Sequence, residues 1–110
     1  EEDDTDFMEK LFRETIKNDS YFENLISEKT KNWDVDRIAL MDIILLKMAL
    51  CEILTFPGIP VKVSINEYID ISKDYSTPKS KVFINGVIDN LVADLKTRGE
   101  VKKTGRGLIE

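Results

Sequence analysis

Lys79-Ser80-Lys81, followed two residues on by Phe83, is the stretch whose residue types and spacing suit ligand binding of a definite kind. Thr77-Pro78 ahead of it reads as a helix start, an N-cap residue followed by proline at the first helical position. Two lysines and a hydroxyl then sit beside unbonded backbone amides at the positive end of a helix dipole. That combination favours an anion such as phosphate. A plain solvated helix start fits the same lysine spacing equally well. Phe83 lies at the edge of an apolar arc, where a ring either packs in a core or stacks on a base, and its place in the stripe favours the core.

Other chemistry has less to stand on. The chain contains no histidine, which removes His-dependent triads, most zinc sites and the commonest general base. Cys51 lies within the most apolar segment, where a thiol behaves as a small core residue. Glu67, Asp70 and Asp74 can share a helix face, but a ferritin-like carboxylate site needs a Glu-x-x-His motif, so a solvated face is the better reading. Gly99, Gly105 and Gly107 follow no strand and open no helix, unlike a phosphate-binding loop. No catalytic residue, metal site or cofactor is expected, and binding is what remains.

Bulk properties agree with a binding domain. The 110 residues, 42% of them hydrophobic, suit one small core. Residues 1–55 carry 7 basic and 14 acidic groups and residues 56–110 carry 9 and 7, so the two halves bear −7 and +2 of the net −5. An acidic chain is a poor general binder of nucleic acid, whose affinity rests on neutralised phosphates, although a local basic face remains open to it. The lone cysteine excludes an internal disulfide framework. No apolar run approaches the roughly 18 residues that cross a bilayer, and the acidic start is unlike a signal peptide. The expected location is cytoplasmic, away from the membrane.

Helical periodicity organises the chain. Phe7, Leu11, Phe12 and Ile16 form one stripe over residues 6–17, which Asn18-Asp19 breaks. Ser20-Tyr21-Phe22-Glu23 reads as a capping box that opens a second helix with Phe22, Leu25 and Ile26. The segment "IILLKMALCEIL" is apolar on nearly every side and belongs at the centre of a bundle. A break near residues 35–40 is expected, with Asp42 suited to cap the helix that this segment forms. Phe56-Pro57-Gly58-Ile59-Pro60 is a loop, and Ser64-Ile65-Asn66-Glu67 reads as a second capping box opening a helix that ends near Tyr75.

The last helix contains a conflict at Asn85-Gly86, a dipeptide that ordinarily marks a tight hairpin. Phe83, Ile84, Val87, Ile88, Leu91, Val92 and Leu95 nevertheless fall within a half-turn arc at 100° per residue, which predicts a helix through it. Gly86 lies off that arc. A glycine there costs about 1 kcal/mol relative to alanine, which suggests a close approach of another backbone; a tolerated surface glycine is the alternative. Arg98-Gly99 is the expected stop, with Gly99 as a left-handed C-cap. Residues 1–99 then form the helical domain and residues 100–110 a flexible tail.

Three segments, in this order and at this spacing, carry a resemblance: "NWDVDRIALMD" (32–42), "KVSINEYIDIS" (62–72) and "KSKVFINGVID" (79–89). With the apolar segment and proline loop between the first two, the chain from Phe7 to Leu95 resembles the NusB family of bacterial transcription antitermination factors. The resemblance implies an all-α fold, a helical bundle of about five to six helices in two small sub-bundles. It implies no enzyme activity. It implies pairing with ribosomal small-subunit protein ten (NusE) and binding of the boxA element of ribosomal RNA within the transcription complex. Lys79, Ser80, Lys81 and Phe83 match the helix start that approaches RNA in the family. Asp42 falls at an acidic position of the family's ribosomal-protein interface and Asp36 at a nearby contact region; for Asp42, helix capping is an equal alternative.

Family members begin with an arginine-rich segment and two helices that supply much of the RNA contact, whereas this sequence begins "EEDDTDF". Without them, the face bearing Phe7, Leu11, Phe12 and Ile16 is expected to be exposed and open to self-association. Two other functions share these features. One is the NusB-like accessory domain of an RNA cytosine methyltransferase, and the other a helical self-association module without RNA.

Overall fold

The computed structural model describes residues 2–31, 39–75 and 78–109. Helix α1 (Glu2–Lys17) and helix α2 (Asp19–Lys29) are separated by Asn18 alone. The Asn18 amide and side-chain Nδ2 both donate to the Glu14 carbonyl, at 3.1 and 2.9 Å, while its own carbonyl accepts from the Phe22 amide. One residue thus closes one helix and opens the next. The capping box expected at Ser20 does not form, because α2 has already started.

Helix α3 (Leu40–Thr55) begins after Ala39, whose carbonyl accepts the amides of Asp42 and Ile43. Asp42 therefore sits inside the first turn and is not the cap. Helix α3 packs against each of the other four α-helices. Leu45, Leu46, Ala49, Leu50, Cys51 and Ile53 are all buried, as a helix apolar around its whole circumference requires. Its Lys47 joins α2 through Asp19 and Glu23, at 2.8 and 2.6 Å.

The stripe on α1 divides. Leu11 is buried and Phe7 packs on Phe56, with ring centroids 4.9 Å apart and the Lys10 ammonium over the Phe56 ring. Only Phe12 and Ile16 of the expected face are exposed, and Met8 joins them at helical spacing. The exposed apolar face of α1 thus lies one step round the helix from the face expected to self-associate, because Phe7 and Leu11 are occupied by α3 and the loop after it.

Helix α4 (Val61–Tyr75) starts three residues before the expected capping box, because the Pro60 carbonyl accepts the Val63 and Ser64 amides. Ser64 is thereby carried into the helix and buried, where its hydroxyl donates to Glu52 Oε1 at 2.9 Å; the Tyr68 hydroxyl donates to Glu52 Oε2 at 2.8 Å. A buried carboxylate with two hydroxyl donors fastens α3 to α4. Burial, then the neighbouring Glu52 charge, pushes the Tyr68 hydroxyl far above its ordinary range, and burial likewise raises the Cys51 thiol. Both groups keep their protons in the fold and lose them on unfolding at high pH. Unfolding free energy is therefore expected to fall as pH rises above about 9, by up to roughly 1.4 kcal/mol per unit for each group. Urea denaturation between pH 8 and 11 measures this, and a flat profile would contradict it.

Helix α5 (Pro78–Thr97) runs unbroken through Asn85-Gly86 and buries all seven residues of the predicted arc. The Thr77 cap lies outside the described residues. At the other end Gly99 takes φ 75°, its amide reaching the Lys96 carbonyl and the Glu100 amide the Leu95 carbonyl, each at 3.0 Å. This is the Schellman arrangement. Arg98 and Lys29 both pair with Asp94, which ties α5 to α2.

Gly86 fits the alternative of a tolerated surface glycine, and the close approach occurs at Gly107. A Cβ on Gly86 would meet no atom of another described segment within 4 Å, so no backbone among the described residues outside its own helix approaches it. A Cβ on Gly107 would lie 1.8 Å from the Pro57 carbonyl oxygen. Residues 100–109 lie against the α3–α4 loop: the Thr104 amide donates to Pro57 O at 3.0 Å and Lys103 Nζ to Phe56 O at 2.9 Å. Gly105–Leu108 adds a turn of 3-10 helix. The missing Cβ of Gly107 permits this pairing with the α3–α4 loop. Gly86→Ala is expected to raise stability by about 0.5–1 kcal/mol, and Gly107→Ala to lower it by about 1–3 kcal/mol. Shifts of the same sign in urea midpoint would refute the assignment.

Candidate functional site

The first turn of α5 is set by Pro78, whose fixed φ suits the first helical position, and by the apolar arc that turns Phe83 and Ile84 inward. Lys79 and Lys81 are thereby held outward and exposed, with Ser80 half-buried between them. Neither lysine forms an ion pair with another described residue. Two exposed cations at the start of a 20-residue helix lie at the positive end of its dipole, where an anion is favoured.

Phe83 does not belong to that surface. It is 4% exposed and packs within the core cluster, so its ring presents no face to a base. The exposed positions that do continue from the lysines are Val82, Asn85 and Gly86. Residue type alone does not mark them, although Asn85 stands four residues from Lys81 and Gly86 four from Val82, the spacing of helical neighbours.

Of the two carboxylates expected at a protein interface, Asp36 lies outside the described residues. Asp42 is 2% exposed, so its carboxylate is enclosed in the first turn of α3 and offers no surface. Around it stand Leu40, 75% exposed, with Met41 and Ile44, both partly open to solvent. This apolar patch is hidden in the sequence by the uniform hydrophobicity of α3, which gives no outward face to distinguish.

Glu67, Asp70 and Asp74 lie exposed on α4, with Asp70 paired to Lys73 at 3.1 Å. Among the described residues, no cluster of three metal-ligating side chains occurs, and no helix is long and apolar enough to cross a membrane.

A family model described as the NusB family matches residues 1–93. The chain is 50% identical over 104 residues to transcription antitermination protein NusB of Salinibacter ruber, covering 94% of this chain and 65% of that one. It is 39% identical over 105 residues to the protein of the same name from Chloroherpeton thalassium, at 96% and 50% coverage. The chain thus spans between half and two thirds of the length of these two relatives. A solved structure of T. maritima NusB is similar at a TM-score of 0.71 and 33% identity, over 77% of this chain and 60% of that one. Together with the all-helical bundle built around α3, these matches establish that the chain belongs to the NusB family.

Proposed function

We propose that this chain forms part of a transcription antitermination factor that binds boxA-type RNA together with ribosomal small-subunit protein ten. The observation that carries the reading is the exposed Lys79 and Lys81 pair on the first turn of α5 in a chain of this family. RNA phosphates would be held by the two ammonium groups at the positive end of the α5 dipole, while Val82, Asn85 and Gly86 continue the same face. Gly86 would let a ribose-phosphate backbone lie close to the helix, since no side chain stands in the way.

The ribosomal protein would meet the apolar patch of Leu40, Met41 and Ile44, whose exposure in a small domain supports an association surface. Asp42 lies buried in the first turn of α3, which carries the patch, and Asp36 belongs to the sequence leading into it. Phe12 and Ile16, with Met8, are the residues through which copies of the chain would self-associate. The test is titration of the protein with boxA RNA across salt concentrations, with and without the ribosomal protein. Affinity must fall as salt rises, because bound lysines displace counterions from the phosphates. Failure to bind RNA in either arm would refute the reading.

A further inference from the structure

At the end of α5 remote from Lys79, a groove of about 880 Å³ opens between the start of α4, the second half of α5 and the docked segment 101–109. Its walls are aliphatic: Val61, Ile65, Val92, Val101, Leu108 and Ile109. Leu108 and Ile109 are 65% and 64% exposed, which for branched aliphatic side chains leaves a substantial apolar area open to water. Among the described residues, four lysines also line the groove, Lys62, Lys96, Lys102 and Lys103, against one carboxylate, Asp89.

The lysines differ in what they can do. Lys103 is committed to the Phe56 carbonyl, and burial lowers its affinity for a proton. Lys62, Lys96 and Lys102 are exposed and form no ion pair with a described residue. Within a chain of net charge −5, the groove is a local concentration of positive charge around an apolar floor.

We infer that this groove docks a short acidic segment of a partner protein that carries aliphatic anchor residues. The aliphatic floor takes the anchors and the three open lysines take the flanking carboxylates, the complementarity that steers and registers charged partners. Single-stranded RNA is the poorer occupant. Its bases need planar groups to stack on, and among the described residues no aromatic side chain lines the groove. The site also stands apart from the proposed RNA surface: Lys79 and Lys96 are separated by 17 residues of one helix, about 26 Å.

Gly107 makes the groove possible, because it seats the 101–109 wall against the Pro57 carbonyl. The experiment uses fluorescence anisotropy with a labelled 12-residue peptide in which leucines at helical spacing alternate with aspartates and glutamates. Comparison ligands are the same peptide with serine for every leucine, and oligouridylate of equal length. The leucine peptide is expected to bind the native protein, to lose at least tenfold in affinity to the Lys62→Glu/Lys96→Glu variant and to the Gly107→Ala variant, and to bind Lys79→Glu/Lys81→Glu unchanged. Circular dichroism of the surface lysine variants is expected to match the native spectrum. Absence of peptide binding, equal binding of the serine peptide, or displacement of the peptide by oligouridylate would each overturn the inference. Because the Lys79/Lys81 variant is the control here, failure of the RNA reading leaves this result readable.

Discussion

Glu52→Ala is expected to lower the unfolding free energy by about 3 kcal/mol, a large share of the 5–15 kcal/mol typical of a small domain. The native carboxylate is 1% exposed and accepts from the Ser64 and Tyr68 hydroxyls. Hydrogen bonds to a charged group contribute about 1.5–3 kcal/mol each, and the substitution leaves both hydroxyls buried without that acceptor in a newly opened space. Relief from burying a charge offsets part of the loss, which keeps the net below the sum of the two bonds. Tyr68→Phe removes one donor and keeps the packing, so it should cost about 1.5–3 kcal/mol. In the double variant the costs must not add, since both act through the same oxygen pair.

The same substitution has a second readout. Partial desolvation of its otherwise exposed side chain, then the charge of Glu52, holds the Glu67 carboxyl above its ordinary range. A carboxyl whose proton is held more tightly in the fold contributes stability that is lost as pH rises through its folded value. Removing Glu52 should flatten that part of the acid profile between its unfolded and folded values. Urea denaturation of the native and variant proteins at several pH values measures both effects. A loss below 1 kcal/mol at neutral pH would show that α3 and α4 are held by apolar packing alone.

The helices of this chain are legible in its sequence wherever an apolar arc and a stop signal agree. Helix α5 is the clearest case: seven residues on one side outvote the Asn85-Gly86 turn signal, and Arg98-Gly99 marks its end. Helix starts are less legible. Ser20 and Ser64 each sit three residues before a glutamate, yet both lie within helices already begun by Asn18 and Pro60. A capping box describes a local hydrogen-bond option, and at Ser64 a buried carboxylate twelve residues earlier makes the stronger claim on the hydroxyl. Tertiary partners of that kind leave no periodic trace.

The surface is harder still. Phe7 and Phe12 have the same local pattern, and only the position of Phe56 decides that one packs and the other stays exposed. Gly86 and Gly107 show the same limit from the side of the backbone. A glycine in a helix interior looks costly enough to need a reason, whereas a glycine in a polar C-terminal stretch looks idle. The contact that requires a missing Cβ is the Pro57 carbonyl against Gly107, two residues separated by 50 positions of chain. The lysines of the α5 start are readable because helix geometry alone turns them outward, opposite the arc that buries Phe83.

Reversing those two charges should have the largest functional effect. Lys79→Glu/Lys81→Glu is expected to weaken boxA RNA binding by at least about tenfold at low salt, through the loss of phosphate contacts and the repulsion that replaces them. The dependence on salt carries the sharper information. Each phosphate contact contributes about 0.7 to the slope of log affinity against log salt for a single strand, so the double variant should lose about 1.4. Stability should barely change, since both side chains are exposed and outside any ion pair with a described residue. Phe83→Leu supplies the contrast. A ring stacked on a base would cost about 1–3 kcal/mol of RNA affinity when removed, but this ring lies in the core, so its loss should appear in the urea midpoint and leave the RNA affinity of the folded protein intact. If the slope is unchanged in the lysine variant, the RNA lies elsewhere on the molecule. If Phe83→Leu abolishes binding without altering stability, α5 must rotate on engaging RNA, because no exposed face of that ring exists in the fold described here.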